Sequence, residues 1–68
     1  MNKSERMNKQ NERTIRFMIL HHLNEAIICL NYLRVFERDD DSVMANDFRR
    51  LTNEHKDAAN YWRNKLNN

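Results

Sequence analysis

The chain has 68 residues, one cysteine, no glycine and no proline, and a formal net charge of +2 with a sequence pI near 9.0. That length allows one domain whose apolar core is too small to stabilise it comfortably alone. The lone Cys29 excludes an intrachain disulfide, no zinc-type Cys/His spacing occurs, and the missing breakers turn the chain from sheet architectures toward long helices.

Self-association or a partner protein is therefore the expected source of stability. The mild basicity permits a nucleic-acid or nucleotide partner without demanding one. The charged N-terminal segment lacks the apolar core of a signal peptide. The longest apolar runs, Phe17 to Leu20 and Ala26 to Leu30, fall far short of the ~20 residues that span a bilayer. No membrane partner is expected, and a single unpaired cysteine suits a reducing cytoplasm.

Residues 1–11 are polar, rich in Asn and Lys, and are read as a frayed arm. Glu5 with Lys9 and Glu12 with Arg16 are i,i+4 pairs in the favourable order, so helix can begin inside this arm. The first strong helix covers about 12–37. Asp39, Asp40, Asp41 and Ser42 form the one convincing break, and each is able to cap the helix that follows. The second helix covers about 43–66, with Arg63 and Lys65 complementing its C-terminal dipole. Residues 12–68 thus read as an all-α, antiparallel two-helix hairpin.

Each helix carries an apolar stripe at coiled-coil spacing. The second has Met44, Phe48, Leu51, His55, Ala58, Trp62 and Leu66; the first has Ile15, Ile19, Leu23, Ala26, Leu30 and Leu33. A turn near residue 40 makes facing positions sum to roughly 81, which pairs Leu33 with Phe48, Leu30 with Leu51, Ala26 with His55 and Ile19 with Trp62. Outside its stripe the first helix still carries Phe17, Leu20, Ile27, Ile28, Tyr32, Val35 and Phe36. A helix apolar on several sides is buried on several sides. These seven residues are the candidate oligomer interface, and a four-helix bundle or larger homo-oligomer is expected.

Charge sets a preferred geometry. Residues 1–18 and 60–68, the open end, hold Lys3, Arg6, Lys9, Arg13, Arg16, Arg63 and Lys65 against Glu5 and Glu12, a formal +5. The remainder, including the acidic turn, is formally −3. A dimer is therefore expected to be antiparallel, basic ends against acidic turns, with solvent screening keeping the preference modest.

His55 is the oddity, because it stands mid-stripe where an apolar residue belongs. Three readings stay open: a register-fixing core histidine, a pH-sensitive pair, or a metal ligand with His22, Glu25 and Cys29. A diiron-type carboxylate site fits poorly, since adjacent Glu54 and His55 point about 100° apart on a helix. Arg6, Lys9, Arg13 and Arg16 recur every three or four residues. With Tyr61, Trp62, Arg63 and Lys65 they are a candidate anion or nucleic-acid surface, cations interleaved with stacking rings. The competing reading is a solvated face with Trp62 in the core. Arg49 and Arg50 read as salt-bridged surface.

No nucleophile–base pair, phosphate loop or core-facing carboxylate pair is present, so no catalytic residue and no cofactor is expected. In layout (length, one acid-rich turn, 4-3 seams) the chain resembles the small plasmid-encoded RNA-binding hairpins that dimerise into antiparallel four-helix bundles. Its size and shape are similar to those of tiny phage proteins that inhibit host machinery or sequester signalling nucleotides. The resemblance assigns no individual residue a role. The expected function is a small non-enzymatic regulatory or inhibitory protein, an oligomeric bundle that binds a macromolecular partner. The alternative is a nucleic-acid- or nucleotide-binding bundle, and a third is a metal- or pH-responsive one.

Overall fold

The computed structural model describes the backbone of residues 3–67 and the side chains of residues 11–66. Two helices account for nearly all of it: α1, Lys3–Arg38, and α2, Ser42–Asn67. They pack against one another as a hairpin. α1 reaches back to Lys3 rather than starting near 12, because no Gly or Pro interrupts the polar arm and its i,i+4 charge pairs support helix. One such pair is formed: Arg16 donates from Nε and a terminal guanidinium nitrogen to Glu12 Oε1, at 3.2 and 3.0 Å. Residues 3–11, read from sequence as a frayed arm, have helical backbone continuous with α1, and of their side chains only that of Asn11 is described.

The break falls where the acid-rich run predicts it. The Asp40 N–H donates to the Glu37 carbonyl (3.2 Å) and the Asp41 N–H to the Phe36 carbonyl (2.9 Å). With Asp40 in the left-handed region (φ 58°), this is the Schellman closure, usually made by glycine. Asp tolerates that region better than most residues, which lets a chain without glycine turn here. Asp41 then caps α2: its Oδ1 accepts from the Met44 N–H at 3.2 Å, and its carbonyl accepts the Ala45 N–H at 2.9 Å.

The helix–helix seam is rotated from the expected one. The buried residues are Ala26, Cys29 and Leu33 on α1, with Ala45, Thr52 and Ala59 on α2. The α2 positions are spaced by seven, one residue on from the expected Met44, Leu51 and Ala58, which are only half-buried. Small side chains at the line of closest approach let the backbones come together, and the larger ones flank it. The one buried polar group there is satisfied, since Thr52 Oγ1 donates to the Phe48 carbonyl at 2.7 Å.

The register differs as well. His55 meets His22, one turn before the expected Ala26. Phe48 stacks on both Tyr32 and Phe36, with ring centroids 5.3 and 5.5 Å apart. Trp62 shares an open cleft with Ile15, not Ile19. Phe36, stacked on Phe48 and half-buried within the hairpin, is the one of the seven candidate oligomer-interface residues that is not exposed.

The Cα trace measures 57 × 15 × 12 Å, with a radius of gyration of 16.3 Å. A compact domain of this length has a radius near 11 Å. Among the described residues no large side chain is fully buried, and no helix is long and apolar enough to cross a membrane.

Candidate functional site

The hairpin's most distinctive surface is its uncovered apolar one. Phe17 (65% exposed), Leu20, Ile27, Ile28, Tyr32 and Val35 all project from α1, joined by Val43 and Tyr61 of α2. Val43 was missed from sequence because it lies outside the α2 stripe. At about 100° per residue the six on α1 divide into two groups. Ile28 and Tyr32 lie on the side of α1 that continues onto α2 through the Tyr32–Phe48 stack; Phe17 and Val35, five turns apart, sit at its outer edge and point nearly away from α2. Ile28 and Tyr32 there join the flank of α2 carrying Met44, Leu51 and Ala58. Leu20 and Ile27 lie toward the other side, where α2 presents Arg49, Lys56 and Arg63. The first group forms a two-helix aromatic face; the second is an aliphatic strip on one helix.

A histidine cluster sits at mid-hairpin. The Nδ1 atoms of His22 and His55 are 3.1 Å apart, a hydrogen bond in which one ring donates and the other accepts. The exposed His21 ring lies against His22 (centroids 5.1 Å) and stacks on Phe17 (6.3 Å). Partial burial, then the neighbouring His21 and His55, lower the His22 pKa from its ordinary 6.5, and Glu25 acts in the opposite sense. Among the described residues no group of three or more His, Cys, Asp or Glu is gathered to hold a metal ion. Of the ligand set read from sequence, the structure brings His22 and His55 into contact, while Cys29 is buried in the seam.

The open end carries the basic candidates. Lys65 Nζ lies 5.0 Å from the Tyr61 ring centroid and 5.9 Å from that of Trp62. The two rings meet edge to face at 5.5 Å. An open cleft there is lined by Asn11, Thr14, Ile15, Trp62 and Lys65. Arg13 and Arg63 are exposed nearby in sequence, whereas Arg16 is engaged with Glu12. The side chains of Arg6 and Lys9 lie outside the described residues. Toward the turn, Arg49 approaches Glu37 (4.0 Å), and Arg50 approaches Asp47 and Glu54 (3.9 and 4.0 Å). All are more than half exposed and contribute little to stability.

No protein-family model, no curated protein and no solved structure matches this chain. The functional reading therefore rests on the residues themselves.

Proposed function

We propose that this chain is a non-enzymatic interaction protein. Its hairpins associate into a four-helix bundle or larger homo-oligomer, and the assembly binds a macromolecular partner that it regulates or inhibits. One observation carries this reading: eight large apolar side chains are exposed while no large side chain among the described residues is fully buried. Scattered surface leucines need no explanation, but large apolar side chains grouped by face on a hairpin with so little core favour a surface that is covered in use. Native mass spectrometry of the freshly purified protein tests it. The expected spectrum shows more than one subunit, and a protein partner should survive nuclease treatment in a pull-down. A monomer at micromolar concentration overturns the reading.

A second reading, nucleotide or nucleic-acid binding at the open end, is favoured by the ammonium of Lys65 held beside two aromatic rings and an open cleft. Rings with a cation suit a base and its phosphate. It predicts RNA or nucleotide affinity that falls with added salt and is weakened by Arg13→Ala and Lys65→Ala. Salt-independent binding removes it.

A further inference from the structure

We infer that the aromatic face, and not the aliphatic strip, is the docking surface for a second copy of this chain, laid across it antiparallel so that α1 crosses its counterpart near Ala26. This rests on the self-association reading and adds the face, the orientation and the register.

Three observations converge on it. The first is area. The chain exposes 5506 Å² at a mass of 8.4 kDa, where a folded monomer of that mass exposes about 4,600 Å². The excess, to which the overrun of α1 past α2 contributes, is about 900 Å². A standard stable interface buries about 800 Å² on each partner.

The second is pattern. Beside the seam that meets α2, α1 carries another run at 4-3 spacing: Thr14, Met18, His21, Glu25, Ile28, Tyr32 and Val35. It lies about a quarter-turn round the helix from the first seam, the angle a square four-helix arrangement requires. On α2 the same side of the hairpin presents Met44, Leu51 and Ala58, again spaced by seven. Reversing α1 upon itself about the level of Ala26 sets Met18 opposite Val35, His21 opposite Tyr32 and Glu25 opposite Ile28. Glu25 is thereby kept from facing its own copy. A two-fold interface must be self-complementary in this manner.

The third is charge. The open end is formally +5 and the remainder, acidic turn included, −3. Antiparallel docking lays the Lys65 end of one copy over the Asp39–Asp41 turn of the other. Parallel docking stacks like ends, which costs energy even through solvent screening.

The aliphatic strip fits a second copy less well. Leu20 and Ile27 are flanked on the same side of the hairpin by Lys56 and Arg63, and by Arg49 with its partner Glu37, so two-fold docking there would bring Lys56 and Arg63 toward their own copies.

Two sets of variants test this. Ile28→Glu and Tyr32→Glu should each raise the dissociation constant of the assembly by about tenfold or more, because each buries an unpaired charge. Leu20→Glu and Ile27→Glu should leave it within about twofold. All four sites are exposed in the hairpin, and circular dichroism checks that helix content is kept. Orientation is read by oxidative cross-linking in a Cys29→Ala background. Met18→Cys with Val35→Cys, or His21→Cys with Tyr32→Cys, should give covalent dimers, and none of the four single-cysteine variants should. Within one chain Met18 and Val35 stand roughly 26 Å apart along α1, so no intrachain bridge competes. If Leu20→Glu or Ile27→Glu disrupts the assembly and Ile28→Glu or Tyr32→Glu does not, the face is wrong while self-association stands. If the single variants cross-link, or neither double variant does, the antiparallel register is wrong. A monomeric wild-type chain overturns this inference and the proposed function together.

Discussion

Ala58 and Ala59 are adjacent, yet the structure gives them opposite tolerance to enlargement. Ala59 is 1% exposed, on the line where α2 comes closest to α1; Ala58 is half-buried at the seam's edge. Leucine at 59 adds three carbons where there is no space, so the backbones must separate or the side chain must leave its rotamer. Overpacking of this kind costs about 1–3 kcal/mol. Leucine at 58 extends the flank already carrying Met44 and Leu51 and costs less than about 0.5 kcal/mol, as surface substitutions do. Both replace a strong helix former with another, so propensity contributes little to the difference. Urea unfolding followed by circular dichroism at fixed protein concentration reads it. With a slope of about 1 kcal/mol per molar urea, Ala59→Leu lowers the midpoint by about 1–3 M. Fixed concentration matters because association with other copies adds to apparent stability. If Ala58→Leu destabilises more than Ala59→Leu, the seam is centred on 44, 51 and 58, and the packing described above is wrong.

Two further outcomes follow from the turn and the histidines. Asp41→Ala removes the side-chain acceptor for the Met44 N–H and should cost about 1 kcal/mol, whereas Asp40→Gly relieves a left-handed residue and should be neutral or slightly stabilising; thermal melts compare them. Stability should also fall on acidification. The folded state holds the His22 pKa below 6.5, so the unfolded chain binds more protons; the His22 contribution is full above about pH 6.5 and is lost as pH falls toward and through the lowered folded value. Protonation of His22 makes its Nδ1 a donor only, so it can no longer accept across the 3.1 Å His22–His55 contact. His22→Leu paired with His55→Leu should flatten the urea midpoint between pH 7.5 and 5.5 relative to wild type, and an unchanged slope would remove the pair from the pH response.

Much of the fold is determined by local chemistry and is legible without coordinates. A chain lacking Gly and Pro, with two apolar stripes and one run of Asp39, Asp40, Asp41 and Ser42, has one place to turn and two helices to pack. The capping role of the run follows from short acids able to reach backbone N–H groups. Surplus apolar surface on α1 is equally legible, because helical periodicity assigns side chains to faces regardless of their neighbours. What only the tertiary structure decided is the rotation of each helix about its axis and the axial register. Periodicity leaves 44-51-58 and 45-52-59 as rival seams, and hydrophobicity alone favours the larger residues. Close approach selected Ala45, Thr52 and Ala59 instead, since small side chains between two backbones let them come nearer than large ones do. That rotation carries Phe36 into the hairpin, brings His22 rather than Ala26 to His55, and turns Ile28 and Tyr32 outward on the same side as Met44, Leu51 and Ala58 of α2. The amount of uncovered apolar surface was written in the sequence; its division between a two-helix face and an aliphatic strip was a consequence of how the helices meet.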